Sequence, residues 1–145
     1  MAVVSELSNH YLWGLISGET PIGGHIYKAI LMNDTFTYDR DVHSTYSKVS
    51  GEEISTGGYT PSGETLVVVS LTEDDTNDRA RLLFNTASWT ASGESMGPIG
   101  ASIIFDDTSS DDTVVGNVDF GTDYTIPNGS GLDIESIIVD LRKPT

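Results

Sequence analysis

Two runs of branched apolar residues around a short acidic segment constrain the fold of this chain more than any other feature. Residues 101–105 (ASIIF) and 113–120 (TVVGNVDF) flank residues 106–112, which read DDTSSDD. From Val114 to Phe120 apolar residues and glycine occupy one face, and mainly polar residues occupy the other, which is the two-residue period of a half-buried strand. The pattern predicts a β-hairpin with an acidic turn, packed on one face and mostly exposed to solvent on the other.

Further apolar runs between polar turns predict additional strands. Residues 25–32 alternate and indicate a central strand, whereas residues 66–71 (LVVVSL) are almost continuously apolar and should be buried on both faces or lie at a sheet interface. Residues 80–86 and 132–141 continue the series, and the last run changes phase, which indicates cover on both faces or a bulge near Ser136. We therefore expect an all-β fold, an antiparallel β-sandwich or jelly roll of about seven to eight strands.

The N-terminal residues predict one short helix. Between Val3 and Ser17 apolar residues recur every three to four positions, and Gly18 stands where a helix stop is expected. The apolar side is wider than one packing stripe, so this helix either enters the core deeply or meets a subunit or partner. That apolar side includes Tyr11, Leu12, Trp13 and Leu15.

Length and composition limit the possible classes of protein. A length of 145 residues fits one domain, with a helical segment at residues 1–20 and the β-sandwich at 21–145. There is no cysteine, so disulfides and thiolate metal ligands are excluded. The 22 acidic and 7 basic residues give a net charge of -15, which disfavours nucleic acid as a partner. No apolar stretch reaches the roughly 18 residues of a membrane span and no basic leader opens the chain, so we expect no membrane partner and synthesis in a cytosol.

One short motif suggests chemistry but lacks the context that this chemistry needs. Residues 93–97 (GESMG) match the G-x-S-x-G of a hydrolase nucleophile elbow, which requires a preceding strand, a following helix and a later histidine. Here Pro98 and a predicted strand follow, and all three histidines precede Ser95. We expect a chance match in a turn and no catalytic residue.

Two acidic clusters could supply oxygen ligands for calcium. Neither has the spacing of an EF-hand loop, so solvated loops are favoured, and we expect no metal and no cofactor. No pair of carboxylates is marked as the acid and base of a sugar hydrolase. The clusters are Asp74, Asp75, Asp78 and Asp106, Asp107, Asp111, Asp112.

The order of several segments along the chain is also informative. A short N-terminal helix (LSNHYLWGLISG) precedes a strand, IYKAIL, and residues 51–59 (GEEISTGGY) follow. The turn WTAS at residues 89–92 comes next, and the segment GPIGASIIFDDTSSDDTVVGNVDFGTDYT occupies residues 97–125. This order resembles a family of small β-rich virion proteins of tailed bacteriophages, whose members are head decoration, cement or tail-associated proteins.

The resemblance implies a non-enzymatic structural protein of the virion, made in the cytoplasm of a bacterial host. A decoration or cement protein binds the major capsid protein on the outer shell, generally as a dimer or trimer, and stabilises the shell. We expect Tyr11, Leu12, Trp13 and Leu15 to form the capsid or subunit contact, because aromatic anchors are favoured at interfaces. Filling of the core by the same residues is the alternative.

Two other classes of function remain open at the level of sequence. A tail, baseplate or fibre-associated protein that recognises a host glycan would expose aromatic residues such as Trp89 or Tyr59 on a loop surface. A hydrolase of cell-wall or capsular sugar would need paired carboxylates in a cleft.

Overall fold

The computed structural model describes residues 2–18 and 24–142. Within this part of the chain, ten strands form three antiparallel sheets and are accompanied by two α-helices. The prediction of a β-rich chain is therefore confirmed. The sequence also favours a turn at residues 21–24, and most of it lies outside the described residues, as do the outer ends of the segments predicted at 1–20 and 21–145.

The elements follow one another through both short turns and longer loops. Five strands pair in the order β1-β8-β7-β2-β3, three in the order β10-β5-β4, and β6 pairs with β9. The strands are β1 Glu6–Leu7, β2 Tyr27–Asn33, β3 Glu64–Leu66, β4 Val68–Asp74, β5 Arg79–Phe84, β6 Ala87–Thr90, β7 Met96–Asp106, β8 Val114–Ile126, β9 Gly131–Ile134 and β10 Ile138–Arg142. The helices are α1 Asn9–Ser17 and α2 Tyr46–Val49, and a 3₁₀ turn follows at Ser50–Glu52.

The predicted hairpin lies at the centre of the five-stranded sheet. β7 and β8 pair antiparallel on either side of the acidic turn, so the hairpin itself is confirmed. The prediction of one wet face is wrong for the first half of β8, because the adjacent residues Val114 and Val115 are both fully buried. They belong to two different apolar clusters, one on each face of the sheet.

These two clusters explain why the sheet is buried on both faces. The larger cluster draws side chains from all three sheets and from α1, and in it the rings of Tyr27 and Phe84 lie 5.2 Å apart. The smaller cluster lies beneath residues 36–49, where Tyr46 stacks on Phe105 with 4.7 Å between ring centroids. The predicted central strand, observed as β2, therefore packs on both sides.

Helix α1 is shorter than the sequence predicts. It begins at Asn9 because the hydroxyl of Ser8 accepts hydrogen bonds from the backbone N–H groups of His10 and Tyr11, at 3.1 and 3.4 Å. It ends at Gly18, the predicted stop, whose φ of 82° is left-handed. Neither helix in the described part of the chain has the length and apolar composition needed to cross a membrane.

The residues before this helix are extended instead. Val3 forms a parallel bridge with Ile138, and β1 pairs with β8. The segment at residues 3–7 therefore pairs with strands, although the spacing of its apolar residues also fits a helical face. Pairing with two distant strands is a tertiary effect that a local pattern cannot contain.

The change of phase near residue 136 is a break between strands and not a bulge. β9 ends at Ile134 and pairs with β6, whereas β10 begins at Ile138 and pairs with β5. Between them Ser136 adopts a left-handed φ of 44°. Each phase of the apolar pattern thus belongs to its own sheet. The count of ten strands exceeds the predicted seven to eight partly because the runs at 66–71 and 132–141 are each divided in this way.

The predicted burial of residues 66–71 is also wrong for most of the run. Leu66 is buried at the end of β3, but Val67, Val69 and Leu71 are 60%, 60% and 58% exposed. β4 is the outer strand of its sheet, and no described part of the chain covers these three side chains.

Candidate interaction surface

The histidines and the G-x-S-x-G segment do not come together. Ser95 leads into strand β7 and not into a helix, so the geometry of a nucleophile elbow is not formed. His25 Nδ1 lies 2.6 Å from the carboxylate of Asp106, and His43 Nδ1 accepts a hydrogen bond from the backbone N–H of Asp39. The first contact ties the chain before β2 to the end of β7, and the second lies within the loop between β2 and α2.

The acidic clusters form hydrogen-bonded turns. Asp106 is fully buried, and its Oδ1 accepts the backbone N–H groups of Thr108 and Ser109 at 3.0 and 3.2 Å. Asp74 accepts a hydrogen bond from Arg79 Nε at 2.8 Å. Among residues 2–18 and 24–142, no three histidine, aspartate or glutamate side chains are grouped as metal ligands.

The first exposed apolar surface lies on α1, and we call its residues Leu12, Trp13, Leu15 and Ile16 the helix surface. Trp13 is 56% exposed and Ile16 is 89% exposed, and one helical turn separates them, so their side chains are neighbours. Leu12 and Leu15 are half-buried. Tyr11, also expected at a contact, is fully buried in the larger cluster. Of the predicted contact residues, Trp13 is thus the most exposed, and the contact itself stays a prediction.

The acidic turn between β7 and β8 helps to position Trp13 through His10. The ring of His10 stacks on Trp13 with 5.5 Å between centroids and 10° between planes, and His10 Nε2 lies 2.7 Å from Asp111 Oδ2. The other oxygen of Asp111 accepts the hydroxyl of Thr113 at 2.6 Å. Partial burial raises the pKa of Asp111, but the hydrogen bonds from Thr113 and His10 outweigh it and leave that pKa below its ordinary value. An aromatic side chain held in place loses less entropy when it binds.

The second exposed apolar surface is the outer edge of β4 together with the residue before it, and we call Val67, Val68, Val69 and Leu71 the edge surface. Leu71 pairs with Leu82 in β5, so both lie on one face of the sheet. Leu82 is buried in the larger cluster and Leu71 is mostly exposed. The core therefore ends one strand short of the edge of the sheet. Soluble proteins usually protect such edges with charge, cover or irregularity.

Sequence reasoning missed the edge surface because a run such as LVVVSL has the composition of a buried strand. A usable signal lay just beyond it, since β4 continues through Thr72, Glu73 and Asp74. A strand that is apolar at one end and acidic at the other is unlike a central strand, which is apolar along its length.

A shallow groove of about 460 Å³ forms a third surface beside β8 and β9. The rings of Phe120 and Tyr124 meet edge-on in it, with 6.0 Å between centroids. Asp119, Asp133 and Glu135 add three carboxylates to its lining. Aromatic rings beside hydrogen-bonding carboxylates suit a polar, ring-shaped ligand.

The aromatic residues expected on a glycan-binding loop are not exposed. Trp89 is buried in the larger cluster and pairs with Leu132 across β6 and β9. Tyr59 is half-buried, and its hydroxyl donates to Glu53 and accepts from the backbone N–H of Leu31. Both side chains therefore pack into the body of the protein, Trp89 from strand β6 and Tyr59 from the loop before β3.

Comparisons were made with protein-family models, curated protein sequences and solved structures, and none of these matches the chain.

Proposed function

We propose that this chain is a non-enzymatic structural protein of a tailed bacteriophage particle, a decoration or cement subunit that binds the major capsid protein on the outside of the head. The observation that carries this proposal is the helix surface. Trp13 and Ile16 are exposed side by side, and the His10–Asp111 contact holds the tryptophan. The order of segments, which resembles that of phage virion proteins, supports the same assignment.

The charge of the chain supports a role on an outer surface. A net charge of -15 favours exposure of most of the surface to solvent, and it favours attachment to a neutral or basic patch on a partner. A subunit that binds the assembled shell and not free capsid protein stabilises the shell by mass action. The activity is then binding energy, with no reaction step.

We also propose that the three sheets form the sandwich that the sequence predicts. The larger cluster supports this arrangement, because it receives side chains from all three sheets. A jelly roll would require in addition that the strands alternate between the two layers of the sandwich.

Co-sedimentation with purified phage heads that lack this chain tests the proposal. We expect the wild-type chain to pellet with the heads, and Trp13→Ala to bind about 30-fold more weakly, since a central tryptophan contributes roughly 2 kcal/mol or more. Val42→Ala, which truncates another exposed apolar residue, is the matched control and should bind normally. Normal binding by a correctly folded Trp13→Ala would remove the helix surface from the contact. No binding by the wild-type chain would contradict the decoration role.

A tail or baseplate role in host recognition is the second candidate, and the groove beside Phe120 and Tyr124 favours it. Polysaccharide extracted from the host cell surface is the probe. If this role holds, the chain binds the polysaccharide and Tyr124→Ala abolishes binding, while Trp13→Ala leaves it intact. Absence of polysaccharide binding together with binding to heads would reject this candidate.

A further inference from the structure

We infer that the edge surface pairs two copies of this chain, β4 against β4 in antiparallel orientation about a two-fold axis. The pairing joins two three-stranded sheets, each ordered β10-β5-β4, into one sheet of six strands. It goes beyond the proposed virion role and does not depend on where the chain attaches to a particle.

The first argument is that β4 has both the hydrogen-bonding groups and the apolar surface of a strand that awaits a neighbour. It pairs with β5 on one side only, so the N–H and C=O groups of its other side point away from the sheet. Val67, Val69 and Leu71 are each more than half exposed. A paired strand would satisfy these backbone groups and cover these side chains together.

The second argument concerns charge and selects the partner. Residues 66–72 carry no charge, and the acidic residues are gathered at one end, in Glu73, Asp74 and the turn that follows. A basic segment laid along this edge would find no carboxylate beside the apolar run. The edge of a second copy is neutral over the same length and therefore matches it.

Antiparallel orientation also keeps the two acidic ends apart. The seven residues of β4 span roughly 23 Å at about 3.3 Å per residue, so the two turns lie well beyond the screening length of about 8 Å at physiological salt. Parallel pairing would bring the same turns together, in a chain whose net charge is already -15.

The third argument is that the apolar side chains match one another. The bulge leaves Val68 and Leu71 on one face of the sheet, where they pair with Phe84 and Leu82. In a pairing centred midway between Val68 and Leu71, each Val68 faces Leu71 of the partner subunit. Apolar pairs of this kind across two strands stabilise a sheet. Because the same edge is used by both copies, the contact closes at two subunits and predicts a dimer and not a trimer.

The contact is small, so the dimer should be reversible. β4 offers seven residues, against roughly 20–30 on each side of a standard interface. A bulge between Val68 and Ser70 also interrupts its ladder with β5. We therefore expect association to depend on protein concentration.

Sedimentation velocity over a range of concentrations tests the inference. The wild-type chain should shift from monomer to dimer as concentration rises, and Val69→Lys and Leu71→Lys should each remain monomeric, because lysine on an edge opposes pairing. Ile16→Lys places the same charge on the helix surface, and this variant should still dimerise. The native Ile16 side chain is more exposed than that of Val69 or Leu71. Thermal unfolding of each variant verifies that it is folded.

Crosslinking provides a second measurement, because the chain has no cysteine of its own. Under mild oxidation, Val69→Cys or Ser70→Cys should form a disulfide-linked dimer, since a nearby two-fold axis brings one of these positions within the roughly 4.4–6.8 Å that a disulfide needs between Cα atoms. Thr122→Cys, exposed on β8, should remain uncrosslinked.

Three outcomes would overturn the inference. One is a wild-type chain that stays monomeric at every concentration. If Leu71→Lys then also abolishes binding to heads, the edge surface is a capsid contact instead. Another is a dimer that survives both lysine variants on β4. The third is a dimer that only Ile16→Lys dissociates, which would move the contact to the helix surface.

Discussion

At the scale of residues, folding shifts the pKa values of two neighbouring carboxyl groups, in the turn after β7, in opposite directions. Hydrogen bonds from Thr113 and His10 lower the pKa of Asp111 despite its partial burial. Partial burial, followed by the negative charges of Asp107 and Asp111, raises the pKa of Asp112. The charge on Asp111 therefore stabilises the folded chain, and the charge on Asp112 destabilises it.

We predict that Asp112→Asn increases the free energy of unfolding at neutral pH. An acid whose pKa is raised by folding contributes stability below its unfolded pKa, and this stability is lost as pH rises through the folded pKa. The gain from Asp112→Asn should consequently shrink as pH falls toward 3.8, the ordinary value for aspartate. Urea unfolding at a series of pH values measures it. A gain that is independent of pH would show that charge is not its cause.

The same substitution at the adjacent position should have the opposite effect. Asp111→Asn should lower the free energy of unfolding at neutral pH, because it removes the charge that accepts from Thr113 and His10. The native contribution of Asp111 is present above its unfolded pKa and is lost as pH falls through its lower folded pKa. The same urea series therefore serves as the measurement, and equal stability of Asp111→Asn and the wild-type chain at neutral pH would contradict it.

Glu53 connects several parts of the segment that covers the five-stranded sheet. Its carboxylate accepts hydrogen bonds from the hydroxyls of Tyr46 and Tyr59 and from the backbone N–H of Ser62. We predict that Glu53→Ala lowers the free energy of unfolding by about 2 kcal/mol, because these bonds are made to a charged group. Glu64→Ala, which truncates an exposed glutamate, is the control in the same urea experiment. Equal losses in the two variants would contradict the role of Glu53.

At the scale of elements, the attachment of the N-terminal strand depends on one close approach. A Cβ atom at Gly116 would lie 2.5 Å from the carbonyl oxygen of Glu6 and 2.5 Å from Cγ1 of Val4. These atoms belong to the segment that runs along β8 before α1 begins. The absence of a side chain at residue 116 thus lets the two strands meet.

We predict that Gly116→Ala costs about 1–3 kcal/mol of stability, since backbone must move to admit the methyl group. Gly51→Ala is the matched control, because a Cβ there meets nothing within 4 Å. Urea unfolding compares the two variants, and hydrogen exchange should show the greatest loss of protection at residues 4–8. Unchanged stability of Gly116→Ala would mean that the strand pairs more loosely than described.

The elements that the sequence predicts well are those whose pattern and pairing are local. The hairpin of β7 and β8 joins adjacent runs through one turn, so alternation and turn composition were sufficient. The cover over the outer face of Val114 was not predictable, because it comes from residues 36–49, far away in the chain. The same holds for residues 66–71, where an apolar run indicates a tendency toward burial but not which strand occupies the edge.

The candidate contact residues show the same limit. Helical spacing grouped Tyr11, Leu12, Trp13 and Leu15 on a broad apolar side, but it could not separate the side chain that enters the core from the one that faces solvent. Tyr11 is buried because α1 packs against the strands of the larger cluster, and Trp13 points away from them. That division depends on the angle at which the helix meets the sheets.

At the scale of the whole molecule, net charge opposes association and apolar contact favours it. Each copy carries a charge of -15, and salt screens the repulsion between copies while the apolar contact at β4 persists. We predict that the dimer becomes tighter as salt concentration rises. Sedimentation at low and high salt measures this change, and a dimer that weakens with salt would indicate an ionic contact instead.

A cryo-EM map of the intact phage particle that carries this chain tests the central claim most directly. The account predicts density for the chain on the outer face of the head, between capsid subunits, with Trp13 and Ile16 against the shell. Density for the chain only at the tail or baseplate, or helix α1 turned away from the shell, would contradict it.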